Sequence, residues 1–270
     1  MMDVGGAVAA LALHPLRELP PVPGVERIER EGILVAFTPG PVAPRVEPLA
    51  LGPADVPAAV ALARATARER GKRVLAWWIA PEHDPLRSAL ESEGLVNEDT
   101  TGLEAIENAM ALVQAPTGDC PKVTVSPVDS YEDFTAAISV LQDAFEVPEA
   151  MRAEARAARP RRWEEYKQLG NPMRRYLARI GDEVVGTAAA TFGHAGVNLS
   201  AAAVLAHARG RGVYRALTLA RWEEAVQRGT PALTVQAGRM SMPILIKLGF
   251  TPVGEIRVYA DDLEGPATSP

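Results

Sequence analysis

Hydrophobic and polar positions alternate in three consecutive runs in the second half of the chain: Arg174–Ile180, Glu183–Phe192 and Val197–Ala206. Gly181-Asp182 and Gly193-His194-Ala195-Gly196 separate them. Runs of this length joined by such short turns predict an antiparallel three-strand meander. The period then changes to a helical one. Val213, Leu217 and Ala220 share a face, and Leu219, Trp222 and Val226 an adjoining one. Arg221, Glu223, Glu224 and Arg228 are read as facing water, and Gly229 with Pro231 ends the helix. A short strand, Ala232–Ala237, and a short helix, Ser241–Leu248, complete the pattern before Gly249-Phe250. Upstream, Val123–Val125 reads as a strand. Ser130 with Asp133 three residues on is a capping signature for a helix reaching Phe145, with Phe134, Ile138, Leu141 and Phe145 inward. Glu149–Gln168 is a second helical region carrying Arg152, Arg156, Arg159, Arg161 and Arg162, a solvated basic face.

The first half is less regular. Gly32–Thr38 reads as a strand and Pro39–Pro48 as loop. Asp55 precedes an alanine-rich helix, Ala58–Arg70, ended by Gly71. Val74–Ile79 is a buried strand in which Trp77 and Trp78 pack. Leu86–Glu93 is a helix closed by Gly94-Leu95. The order helix, strand, short helix, glycine plus large apolar residue therefore occurs twice, in Ala58–Leu95 and in Val213–Phe250. A linker falls at Gln114–Lys122, rich in proline, glycine and polar residues. These boundaries give an N-terminal α/β lobe over 1–115 and a second domain over 121–262.

Composition places the chain among globular proteins: 47% hydrophobic and 23% charged residues over 270, enough for two modest cores. A net charge of −6 argues against nucleic acid as a partner. Residues 1–118 hold 10 basic and 16 acidic residues, whereas the remainder holds 18 of each, so the more neutral half is the better host for an anion. The single cysteine, Cys120, excludes an internal disulfide and suits the cytoplasm; it reads as an incidental linker thiol. Met1–Leu13 lacks the basic start of a signal peptide, and no run is long enough for a membrane span. Four scattered histidines give no metal spacing, and Gly71-Lys72-Arg73 lacks the rest of a P-loop.

The chemistry lies between the third strand and its helix: Val204-Leu205-Ala206-His207-Ala208-Arg209-Gly210-Arg211-Gly212-Val213-Tyr214-Arg215. Glycines free the backbone there, and the helix start adds unpaired N–H groups and a positive dipole end, which together suit phosphate. Arg209, Gly212 and their spacing resemble the Arg/Gln-x-x-Gly-x-Gly/Ala signature of the GNAT N-acetyltransferase superfamily, with Tyr214 where Gly or Ala is usual. The strand, short helix and Leu248-Gly249-Phe250 that follow are similar to that family's fifth strand, fourth helix and ending. The resemblance covers about Val123–Tyr259.

It implies an α/β (α+β) fold with a mixed, mostly antiparallel sheet flanked by helices, plus a second N-terminal lobe that is a degenerate GNAT-like domain or an unrelated one. It further implies acetyl-CoA as co-substrate, with Arg209–Arg215 around the diphosphate and Val204, Leu205 and Ala206 pairing with the pantetheine arm. Ser241 stands where the family often touches that arm, or is a simple helix cap. The catalytic acid is unassigned: Leu245 occupies the position of the family's usual tyrosine, while Tyr214 and Tyr259 are other phenols. His207 is a candidate base or a surface histidine, and no carboxylate lies within Val197–Ala206. The basic helix Glu149–Gln168 falls where the family covers its acceptor, so its arginines could meet an acidic substrate. The implied activity is transfer of an acetyl group to a primary amine of a small molecule or protein. The alternative is a noncatalytic acyl-CoA-binding sensing or regulatory module. No metal, nucleic acid or membrane is expected, and the chain would be a monomer or homodimer.

Overall fold

Three antiparallel strands form where the alternation predicts them, and the computed structural model, which describes residues 4–39, 42–100, 102–117, 120 and 122–264, adds eight more strands and eight helices among those residues. In chain order the first are α1 (Gly6–Leu13), α2 (Pro15–Glu18), β1 (Glu26–Arg30), β2 (Ile33–Phe37), β3 (Arg45–Pro48), α3 (Val56–Arg68), β4 (Val74–Ile79), α4 (Arg87–Ser92) and β5 (Ile106–Leu112). The second half holds β6 (Thr124–Pro127), α5 (Tyr131–Ala144), α6 (Glu149–Tyr166), β7 (Met173–Ile180), β8 (Glu183–Phe192) and β9 (Val197–Val204). These are followed by α7 (Val213–Gln227), β10 (Leu233–Ala237), α8 (Met242–Lys247) and β11 (Thr251–Asp262). The architecture is mixed α/β, with mostly antiparallel strands flanked by helices, in two lobes. No described helix is long and apolar enough to cross a membrane.

Neither lobe is one continuous stretch. A larger unit takes Met1–Gly24, Met110–Gln236 and Pro243–Val253; a smaller unit takes Val25–Ala109, Ala237–Met242 and Gly254–Pro270. Strands β5 and β11 therefore each begin in one unit and end in the other. Of the expected linker, residues 118, 119 and 121 lie outside the described residues.

In the larger unit the strand order is β10-β9-β8-β7-β6. The meander β7-β8-β9 is antiparallel, and β10 returns parallel to β9 after α7. Ser130 caps α5 by accepting the Asp133 N–H at 3.0 Å, as its spacing predicts. Phe134, Ala137 and Ile138 of α5 bury against Val128 and Leu177. Trp163 and Tyr166 of α6 stack on Phe134 at ring distances of 5.6 and 5.4 Å, so α6 is held by aromatic contacts although none of its residues is fully buried. Phe145, expected inward, is 63% exposed, because α5 ends one residue earlier. On α7, Val226 is also exposed. Arg221, expected to face water, is fully buried. Its guanidinium is satisfied instead by the carbonyls of Leu217 (2.9 Å) and Ala189 (3.2 Å) and by Thr218 Oγ1 (3.4 Å). A Cβ on Gly186 would stand 2.6 Å from Val213 Cγ1, so only glycine lets the start of α7 approach β8 so closely.

In the smaller unit the order is β1-β2-β3-β4-β11, with β3 and β4 parallel and the other pairs antiparallel. Its core gathers Val56, Val60 and Ala63 of α3 with Val46, Leu75, Trp77, Ile79 and Tyr259. The buried Asp261 carboxylate accepts from Arg64 Nε at 3.0 Å and Nη2 at 2.9 Å, while that same Nη2 donates to the Glu93 carbonyl at 2.8 Å.

Candidate functional site

The run from β9 into α7 is built by two local events. First, Ala201 lies at φ 45°, and the β8–β9 register shifts between Thr187 and Ala189, so β9 carries a bulge. Second, β9 pairs with β10 only at Val197–Leu233 and Asn198–Thr234. Beyond Asn198 the edge of β9 turned towards β10 has no strand partner among the described residues, while its other edge stays paired with β8 through Val204. The two parallel strands thus part, leaving backbone donors and acceptors from Leu199 onward along one side of β9.

The chain then makes a 3₁₀ turn over Ala206–Ala208, with the Ala208 N–H on the Leu205 carbonyl at 2.9 Å and the Arg209 N–H on the Ala206 carbonyl at 3.3 Å. Gly210 (φ 76°) and Gly212 (φ 83°) are both in the left-handed region, where a side chain costs about 1–2 kcal/mol. The helical ladder begins with the Ala216 N–H on the Gly212 carbonyl. None of the six consecutive N–H groups from Gly210 to Arg215 meets a backbone acceptor at good hydrogen-bond geometry among the described residues, although 209–212 form a turn. A helix start by itself leaves four such groups; the left-handed glycines extend the set to six. Gly210 and Arg211 are exposed, so the amides lie on an open loop. Arg215 Nε is buried without a partner in the first turn of α7. Arg209 folds back, donating from Nε to the Val204 carbonyl at 3.4 Å. The other side of the loop is occupied: Cys120 Sγ donates to the Gly212 carbonyl at 3.3 Å and lies 3.1 Å from where a Gly212 Cβ would stand.

Of the residues singled out in the sequence, Val204, Leu205, Ala206, His207, Arg209, Gly210, Arg211, Gly212, Val213, Tyr214 and Arg215 thus form one continuous strand–loop–helix feature of the larger unit. Burial raises the Tyr214 phenol, opposed by the nearby Arg221 charge. His207 Nε2 lies 2.9 Å from Glu183 Oε1 in an exposed pair. Leu245 is fully buried in the same unit. Ser241 and Tyr259 belong to the smaller unit. Ser241 Oγ donates to the Gly238 carbonyl at 3.2 Å, whereas a helix-capping oxygen would accept from a backbone N–H of α8. Tyr259 is fully buried, its hydroxyl 3.0 Å from Glu91 Oε1 and accepting from Arg87 Nε at 3.3 Å.

Two features have no counterpart in the sequence reading. The β9 bulge falls in an Ser-Ala-Ala-Ala-Val run with no local signal. Arg175 lies within a predicted strand, and the alternation Met173, Arg175, Leu177 places its charge on the inward side.

No protein-family model matches the sequence, and no curated protein matches it. Solved structures do match the fold. A GCN5-related N-acetyltransferase from Kribbella flavida superposes with a TM-score of 0.69 over 96% of each chain at 19% identity. A tandem GNAT protein from the clavulanic acid biosynthesis pathway gives 0.59 over 96% of this chain and 88% of its own at 18% identity. A GCN5-related N-acetyltransferase from Sphaerobacter thermophilus gives 0.59 over 86% and 81% at 14% identity.

Proposed function

We propose, from a fold shared with GCN5-related N-acetyltransferases over nearly the whole chain, that this protein is an acetyl-CoA-dependent N-acyltransferase acting on a primary amine. The observation that carries this reading is the run of six amides without a backbone acceptor at Gly210–Arg215, with the orphaned Arg215 Nε behind it, at the head of a 15-residue helix. Oriented N–H groups at a helix start match a diphosphate in charge and direction. Arg209, Arg211 and Arg215 add cations around it. The side of β9 released from β10, ending at Val204, would pair with the amide groups of the pantetheine arm as an added strand does; Leu205 and Ala206, expected to share that pairing, follow β9 into the 3₁₀ turn, with the Leu205 N–H already on the Val185 carbonyl.

Bound acetyl-CoA supplies the activated thioester. The chain's part is to hold a neutral amine against the thioester carbonyl and to offer backbone donors where negative charge develops. We assign no side chain as acid or base. Leu245 stands where the family's phenol would, Tyr259 is enclosed in the core of the smaller unit, and His207 is exposed beside Glu183. The ammonium proton would pass to water. Positioning thus accounts for the rate, at effective molarities that reach about 10⁵ M or more in well-oriented systems.

The smaller unit we read as a degenerate copy of the same fold that retains the topology without the cradle; 121–262 is the stretch that carries the transferase motif, and the silent counterpart draws mainly on 25–109 within 1–115, completed by 237–242 and the chain from Gly254. The single cysteine fits a reducing compartment such as the cytoplasm.

Calorimetric titration with acetyl-CoA tests the site, and release of free CoA with a panel of amines tests the chemistry. Saturable binding with turnover of at least one amine is expected. Binding without turnover would leave a coenzyme-binding module, and no binding at all would end the reading.

A further inference from the structure

We propose that Arg175, with Arg159 and Arg162, forms a second anion site on the α6-facing side of β7, which receives the carboxylate or phosphate of the amine acceptor. That the anion belongs to an acceptor rests on the transferase reading; the anion site itself does not.

Arg175 is only 8% exposed, and its Nε and Nη1 have no partner among the described residues. A buried guanidinium is ordinarily paired, because desolvating an uncompensated charge costs several kcal/mol. Arg221 in the same unit shows how a structural arginine is accommodated: it is completely buried, and all three of its nitrogens find acceptors. Arg175 has no such set. Its surroundings are cationic. Arg159, Arg162 and Tyr166 recur on one face of α6 at helical spacing. The Tyr166 hydroxyl fixes that face to β7, accepting the Arg175 backbone N–H at 3.1 Å while donating to the Val128 carbonyl at 3.1 Å. Arg159 Nε is likewise buried without a partner.

The nearby carboxylates are engaged or distant in effect. Glu165 bears on Arg162 but pairs with Arg161 at 3.4 Å. Asp129 is exposed and bears on Tyr166, and Asp133 is bound by Arg179 at 2.7 Å. Desolvation, and then repulsion from Arg162, lower the Arg175 guanidinium to about 10, which fits a cation held without its counter-charge. Arg162 bears electrostatically on Arg175, and Arg159 on Arg162; the unused buried donors of Arg175 and Arg159 match an oxyanion, which would supply both the missing acceptors and the missing negative charge.

Thermal melting of the full-length protein in chloride and in inorganic phosphate at equal ionic strength tests this. Gly210→Glu serves as the background that disables the loop before α7. Phosphate is expected to raise Tm in that background. Adding Arg175→Met should abolish the rise and, by removing an unpaired buried charge, raise the melting point in chloride. Arg162→Met, on the half-exposed helix face, should weaken the phosphate effect in a protein that folds normally. A phosphate effect unchanged by both substitutions would overturn the site, as would Arg175→Met melting lower in chloride while Arg162→Met changes nothing.

The second arm compares L-lysine with cadaverine, and phosphoethanolamine with ethanolamine, as acceptors. The anionic member of a pair should show a KM lower by at least about tenfold, a preference Arg175→Met erases. Equal KM values within both pairs would overturn the assignment to an acceptor. If no amine is acetylated while the phosphate arm holds, the transferase reading fails and the anion site stands.

Discussion

The segments β3–α3–β4 and β9–α7–β10 follow the same plan and end differently in chemistry. Each comes after an antiparallel meander, and each crosses through a helix to a parallel strand. The short helix that follows closes identically in both. Gly94 and Gly249 take φ of 86° and 96°. Their N–H groups return three residues, to Glu91 and Ile246, and those of Leu95 and Phe250 return five, to Leu90 and Leu245. The difference is confined to the start of the long helix. Before α7, two left-handed glycines leave six amides without a backbone acceptor. Before α3, Leu49 and Ala50 donate to the Gly32 carbonyl, Pro53 and Pro57 have no N–H, and Asp55 places a carboxylate at the cap. The fold tolerates either start, because packing is carried by the helix faces and strands. Anion binding is carried by the dihedral angles and charges of a few residues.

The sharpest way to break this contrast is to add a carboxylate to the open loop. Gly210 has free space around its Cβ position, so Gly210→Glu costs only the strain of its backbone, whereas Gly212→Glu would also drive a side chain into Cys120. Gly210→Glu is expected to weaken acetyl-CoA binding at least about 100-fold, roughly 3 kcal/mol, with the circular dichroism of the fold intact. The matching change in the other loop, Asp55→Ala, should leave the calorimetric Kd where it was. Equal losses from both substitutions would mean the two starts are not functionally distinct.

A second test asks whether the smaller unit contributes stability alone. Asp261 is buried and holds Arg64 through two nitrogens. Asp261→Ala leaves that guanidinium without its counter-charge and is expected to cost about 3 kcal/mol in denaturant unfolding. Below the transition, acetyl-CoA affinity should be unchanged; a parallel fall in affinity would contradict the division.

Much of this contrast is legible in the sequence because its causes are local. Glycines that need positive φ, a serine that caps three residues on, and apolar alternation over eight to ten positions all act within a few residues of themselves. What escaped is set at longer range. The strand β1, Glu-Arg-Ile-Glu-Arg, is an edge strand whose charges hide any apolar alternation. In β3, Pro44 and Pro48 mask a four-residue strand inserted between β2 and β4. The 12-residue β11 runs through Pro252 and Gly254 because its later residues pair with β4. The parting of β9 from β10 and the isolation of Arg175 depend on what faces them, which no window of sequence contains.

A smaller effect sharpens the picture of the smaller unit. Desolvation raises the Glu107 carboxyl above the ordinary carboxylate range, although Trp78 Nε1 donates to it at 3.3 Å. The folded chain therefore holds this proton to higher pH than the unfolded chain. The associated stability is complete below the unfolded value and is lost as pH rises through the raised folded one. Glu107→Gln keeps an acceptor for Trp78 and removes the titration. Its Tm should match wild type in acid and exceed it at pH 8. A variant that melts lower at pH 8 would show that the ionised carboxylate is favourable there.

The smallest expected effect bears on where chemistry is located. Tyr259 is the remaining phenol with a claim to act as an acid, yet it is sealed in the core of the smaller unit between Glu91 and Arg87, and burial pushes its phenol up. A hydroxyl so engaged serves packing and hydrogen bonding. Tyr259→Phe keeps the ring and removes the two contacts, at a cost of about 1 kcal/mol in unfolding free energy. The kcat for acetyl transfer should be unchanged, and its pH profile with it. Should kcat fall about tenfold or more while stability is unaltered, the phenol would be reacting with substrate, and the smaller unit would share the chemistry assigned above to the open loop of its counterpart.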